Sequence, residues 1–256
     1  QVSHPRTVIE VGARSHLRLI ETFTGLAGPT LTNACTTISL GAGASLHHQR
    51  VQTEAPGATH IGHTQVSQAA GSRYETSSIM HGSDIARHAI DVTLHEPDAH
   101  VALTGLYRPA GHQRHDTAVC IDHAASHGTS TQEFKGVVDD HARGSFSGRI
   151  IVRPDTIAND AQQMNRNLVL KPTAQADARP WLEIFADDVR CTHGATVGRL
   201  DDNALFYLRS RGIPLDESRT MLIDAFVREI TDSIEPASLR NHIAALIEVA
   251  ARRSQP

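Results

Sequence analysis

Several things are scarce in this chain of 256 residues. Lysine occurs only at Lys135 and Lys171, although arginine is common. No Lys/Arg run forms, and the net charge is −4 with histidine neutral, which excludes an electrostatic grip on nucleic acid or anionic membranes. Aromatics make up 4% of the residues, so the core must be built from Val, Ile, Leu and Ala. No apolar run approaches the length of a membrane span, and no signal peptide is visible. The three cysteines, Cys35, Cys120 and Cys191, are odd in number and widely spaced, with no CxxC. That excludes a disulfide framework or a self-contained four-cysteine metal site and fits a reducing cytoplasm. Missing too are a P-loop, a G-x-G-x-x-G and a G-x-S-x-G, so nothing here points to nucleotide hydrolysis or serine-type catalysis.

What the chain does have is alternation. From residue 7 to about 200, short runs such as "TTISL", "IDVTL", "HVALTGLY", "TAVCIDH" and "FSGRIIV" place apolar residues at i and i+2, the period of a strand with one buried face. Small polar turns separate them: "GARS", "GAGAS", "APGAT", "EPDAH" and "ARGS". With no helical pattern between the strands, a βαβ fold is excluded, and a sandwich, a barrel or a solenoid remains. Small residues recurring before each strand and a core poor in aromatics favour the solenoid, each coil burying its aliphatics on the next. Cys35 and Cys120 lie within such alternation and read as buried core thiols.

After Leu200 the pattern changes. "DDNALFYLRSRG" opens with acidic capping residues and closes on Gly212. Pro214 then opens a helix whose apolar stripe is Leu215, Met221, Leu222, Ala225, Phe226 and Ile230. Pro236 opens a third, with Leu239, Ile243, Leu246, Ile247 and Ala250 as its stripe and Arg252 and Arg253 complementing the dipole in its last turn. Residues 1–200 are therefore expected to form a mainly β body and 201–256 a small C-terminal helical domain. Mutual packing is the plainer use of the helical stripes; a partner surface is the other.

Cys191 and His193 stand two apart at the end of a strand-like run, "WLEIFADDVRCTHGATVG". At that spacing both side chains share one face, with Cα atoms about 7 Å apart, and thiolate and imidazole are both ligands for iron. Two ligands alone do not make a site, and a core cysteine is the commoner reading of such a residue. Gly194 beside them lets the backbone turn or be approached. The 17 histidines include His47–His48 and His112–His115, but no carboxylates accompany them at a defined spacing, so they read as surface or strand-face residues. Asp139–Asp140 and Asp187–Asp188 are of the kind a β-solenoid polysaccharide lyase or hydrolase employs, yet adjacent strand residues point to opposite faces.

The order and spacing of "FKGVVDDHARGSFSGRIIV" (134–152), "NRNLVL" (165–170), "PWLEIFADDVRCTHGATVGRLD" (180–201) and "LFYLRSRGI" (205–213) resemble the SufB/SufD family of iron–sulfur cluster assembly proteins. "CTHGAT" and "YLRSRG" are similar to SufD-type chains, where SufB-type chains read His-Glu-Ala in place of His193-Gly194-Ala195. The resemblance implies a right-handed parallel β-helix, a helical C-terminal domain, and a missing N-terminal helical segment, in keeping with a chain that begins at Gln1. It implies a scaffold subunit rather than an enzyme, working with a SufB-like subunit and a SufC-like ATPase. Cys191 and His193 would then lie at the interface with SufB, His193 helping to hold a nascent iron–sulfur cluster transiently. The helices, with Leu222 and Phe226, would grip the ATPase. Whether a flavin binds the complex and whether the isolated chain forms a homodimer are not legible in the residues.

Overall fold

The computed structural model describes residues 1–25 and 27–253, with side chains through residue 246. Its strands are β1 (Val2–Ser3), β2 (Arg6–Val11), β3 (His16–Phe23), β4 (Thr30–Leu40), β5 (Ser45–Gln52), β6 (Ala58–Gln68), β7 (Arg73–Met80) and β8 (Ile85–Leu94). They continue with β9 (His100–Tyr107), β10 (Arg114–His123), β11 (Thr129–Val138), β12 (Arg143–Val152), β13 (Asn159–Val169), β14 (Gln175–Ile184) and β15 (Val189–Gly198). Helices α1 (Asp202–Ser210), α2 (Leu215–Thr231) and α3 (Ala237–Arg253) follow.

Successive strands alternate between two parallel sheets. One orders β1-β4-β6-β8-β10-β12-β14, with β2 also on β4; the other orders β15-β13-β11-β9-β7-β5-β3. This is a parallel β-solenoid followed by helices, the expected fold class. Each strand sits directly over the one two before it, so Arg114 lies between Ile85 and Arg143, and Thr129 between His100 and Asp160. The coils have unequal lengths, which is why no fixed sequence period is visible. Corners take up the differences with left-handed residues such as Gly71, Asp98, His127 and Asp140. At Gly82 (φ 100°) a side chain would collide with the Glu54 carbonyl of the preceding coil, so only glycine fits.

The core runs down the axis: Ile38, Leu46, Val66, Tyr74, Ile90, Leu103, Val119, Phe134 and Phe146 interdigitate from the two sheets. Cys35 and Cys120 are not part of it. Both are half-buried on the outer face, because Ala34, Thr36 and Ile38 on β4 and Val119 and Ile121 on β10 occupy the inward phase. Burial, then the nearby Asp91, holds the Cys120 thiol above its ordinary pKa.

The helical segments form where expected, with the Asp201 carboxylate accepting from the Asn203 N–H at 2.8 Å as N-cap of α1. The buried face of α2 differs from the expected stripe. Ser218, Ile223, Val227 and Ile230 are buried, while Met221 and Ala225 are exposed and Leu222 and Phe226 half-buried. The face presented inward is the β-branched one, because α2 packs with Ile234, Leu239 and Ile243 against Val51, Ile79, Leu106, Val137 and Leu168 of the solenoid flank. The helices thus pack on the β body as well as on one another. The Ile247, Ala250, Arg252 and Arg253 side chains lie outside the described residues.

Candidate functional site

Strand β15 continues the inward phase of β13 in register. Ala161, Gln163, Asn165 and Asn167 stand opposite Cys191, His193, Ala195 and Val197. The first four are all buried. Cys191 and His193 therefore occupy inward columns of the final coil. His193 is nevertheless exposed, since β15 ends its sheet and no coil follows it. Cys191 is half-buried against Ile150, Val152, Ala161, Leu182, Ala186 and Val189. Burial, with Asp160 second, raises its thiol pKa. Gly194 makes no turn there; its missing side chain leaves room for the Met164 thioether.

Strand β14 ends the other sheet at the same place, so among the described residues both sheets present an unpaired backbone edge. Around this end Trp181, Ile184, Phe185 and Val197 are exposed, and Phe206 and Tyr207 are exposed on α1. None of these was singled out from the sequence, because alternation identifies a strand but not the last one. Beside the columns of the two candidate ligands, the inward positions of β13 under Ala195 and Val197 carry amides. Asn165 Nδ2 donates to the Phe134 carbonyl at 3.0 Å, Asn167 Nδ2 to Asn165 Oδ1 at 2.7 Å, and the Tyr107 hydroxyl donates to Asn167 Oδ1.

Leu222 and Phe226 lie elsewhere, on the helix seated against the solenoid flank. The Phe226 ring stands 4.5 Å from Lys135 Nζ, which is fully buried, donates to the Phe226 carbonyl at 3.0 Å and pairs with Glu229 at 2.6 Å. Phe226 therefore holds α2 in place, and so does the ion pair, which lowers the Glu229 pKa.

The histidines divide by strand phase. His47 faces outward and meets Gln49 Nε2 at 2.7 Å, and His112 is exposed and stacked on His141. His48, His60, His88, His115 and His123 are buried in the interior, against the expectation of surface positions for His48 and His115. They are tolerated because each meets a polar partner. Arg50 Nη2 donates to His60 Nε2 at 2.5 Å, and His60 Nδ1 lies 2.9 Å from Glu54. Burial, then this hydrogen bonding, bears on Glu54, whose pKa is brought down to about 2 by His60, Thr32 and Gln52. No group of three or more histidine, cysteine or acidic side chains converges as a metal site among the described residues. Asp139 is buried while Asp140 pairs with Lys171 at 2.5 Å, and Asp187 and Asp188 are exposed, so neither acidic pair forms a two-carboxylate groove. No helix among the described residues is long and apolar enough to cross a membrane.

The family model of the SUF system FeS cluster assembly SufBD core domain matches residues 1–226. An iron–sulfur cluster assembly SufBD family protein of Synechocystis is 34% identical over 248 residues, covering 93% of this chain and 55% of that protein. The iron–sulfur cluster assembly protein SufD of Escherichia coli is 33% identical over 246 residues, covering 96% and 58%. The chloroplastic protein ABCI7 of Arabidopsis thaliana is 32% identical over 256 residues, covering 96% and 53%. The chain thus spans about half the length of the curated relatives it matches.

Proposed function

The chain belongs to the SufBD core family of the SUF iron–sulfur cluster assembly system, and from that premise we propose that it is a SufD-like scaffold subunit whose open solenoid end shares a nascent cluster with a SufB-like partner. The observation that carries this reading is the placement of Cys191 and His193 on the inward columns of the last coil, where two unpaired strand edges and exposed apolar side chains surround them. A cluster takes about four ligands. This chain brings two at that end, so a second chain must supply the rest. An unpaired strand edge is also a natural joint for a chain of the same architecture, and that chain's absence would leave the same end free to pair with a second copy.

The reading assigns no catalysis to this chain. Nucleotide hydrolysis falls to a SufC-like ATPase bound by the helices, with Leu222 and Phe226 acting through the seating of α2. Three free thiols fit a reducing compartment, so the subunit works in the cytoplasm.

The test is anaerobic reconstitution with iron and sulfide. The isolated chain should give no stoichiometric cluster absorption. The complex with a SufB-like subunit should give it, and His193→Ala should reduce it while the complex still forms. A full-occupancy cluster on the isolated chain, or normal assembly in the His193→Ala complex, refutes the proposal.

A further inference from the structure

A short ladder of buried amides climbs toward His193. Gln132 on β11 and Gln163 on β13 are register partners, each 2% exposed, and Gln163 is in turn the register partner of His193. Gln163 Nε2 donates to Gln132 Oε1 at 3.1 Å. In stacked parallel strands an amide that donates to the coil before it offers its oxygen to the coil after it. That oxygen, Gln163 Oε1, is buried and has no hydrogen-bond partner among the described residues. The ladder is built for this amide. Gly148 faces it from the opposite sheet, and a Cβ there would overlap the Gln163 side chain. Asn165 and Asn167 in the neighbouring columns are hydrogen-bonded to Phe134, Tyr107 and each other, so the open acceptor is specific to the column of His193.

A buried carbonyl oxygen left unpaired is unfavourable, and a donor from the next coil would relieve it. Register partners on parallel strands stand about 4.8 Å apart, within reach of a side-chain hydrogen bond. We infer that Gln163 is a positioning residue for His193: the exposed ring, not bonded to it in this structure, turns inward so that Gln163 Oε1 accepts one imidazole N–H, which fixes the tautomer and leaves the other ring nitrogen unprotonated and directed out of the solenoid end. A histidine ligand is commonly held in this way by an acceptor on its second nitrogen. The inference rests on the proposed ligand role of His193, but the hydrogen bond is a property of this chain alone.

The experiment reads it without a cluster. In the full chain with ¹⁵N-labelled histidine, the His193 signals, identified by their loss in His193→Gln, report the tautomer ratio above the imidazole titration. One tautomer should dominate. Gln163→Met should move the ratio toward that of a free histidine, and Gln163→Glu, which restores an acceptor oxygen, should bring it back. The double variant Gln132→Leu/Gln163→Met leaves no orphaned amide and keeps the test usable if Gln163→Met alone unfolds. In the complex given iron and sulfide, Gln163→Met should weaken iron retention by about tenfold. An unchanged tautomer ratio in both methionine variants overturns the inference and leaves the proposed function standing. A shifted ratio, with normal cluster assembly in His193→Ala, removes the function and leaves the hydrogen bond.

Discussion

Lowering the pH from 7.5 to 5.5 should destabilise this protein through its interior histidines. Burial is the largest cause that depresses the His81 and His115 pKa values, each to about 4 from an ordinary 6.5. The Arg108 charge adds to this at His81, and His81 itself adds to it at His115. His115 Nε2–H donates to the Gly82 carbonyl at 2.8 Å, while its Nδ1 is buried with no hydrogen-bond partner among the described residues. A second proton on that ring would therefore be a charge with no acceptor. The folded state binds fewer protons than the unfolded chain between these pKa values. The stabilisation is thus complete above pH 6.5 and is lost as pH falls toward 4. At pH 5.5 an unfolded histidine of ordinary pKa is protonated about ten to one, and the folded ring is almost wholly neutral. The difference is about 1.4 kcal/mol per histidine, or about 3 kcal/mol for the pair. His88, pushed well below 6.5 by burial and by Arg50, acts in the same direction. Glu54, held down to about 2, begins to matter only below about pH 4.5, so the window from 6.5 to 4.5 belongs to the histidines. Urea unfolding followed by circular dichroism at pH 7.5, 6.5 and 5.5 measures the loss. His115→Asn should shrink it by about 1.4 kcal/mol. Stability that stays flat over this range, or a variant that loses as much as the wild type, refutes the reasoning.

Three further outcomes are expected. Cys191→Ala should cost only about 1 kcal/mol of stability, as for a half-buried side chain in a small apolar cluster, yet lower cluster assembly in the complex by more than the stability loss explains; equal losses in both measurements would make it an ordinary packing residue. Phe226→Asp places a carboxylate beside Glu229 and removes the ring from Lys135, so thermal melts should show α2 loosening, and binding to a SufC-like ATPase measured by calorimetry should weaken with it; unchanged binding with α2 intact would free that surface from the assignment. Gly148→Ala drives a methyl group into the Gln163 amide and should lower stability by about 1–3 kcal/mol in urea titrations, with a neutral result showing that the amide has room to move.

The strands, the helix starts and the Cys–His pair were legible in the sequence because each is a local property. Alternation of apolar residues makes a strand wherever one face is buried, Asp201 caps α1 because its carboxylate meets an N–H two residues on, and residues at i and i+2 share a face in any strand. Period two, however, says which side chains share a face and not which face is inside. Cys35 and Cys120 alternate as faithfully as Ile38 and Ile121, yet they point outward. His48, His60, His88, His115 and His123 took the inward phase, a choice fixed only when neighbouring coils and the facing sheet supplied their hydrogen-bond partners. The seat of α2 likewise depended on the flank of the solenoid, which buried Ile223 and Val227 beside the expected Ile230 and left Met221 and Ala225 of the stripe exposed. Coil lengths vary, so the stacking of Gln132, Gln163 and His193 in one column cannot be counted along the chain; it exists because parallel strands three coils deep settle into a common register. The Cys–His pair was thus written in sequence, while its position at an open end, with His193 above a buried amide, was decided by the tertiary structure.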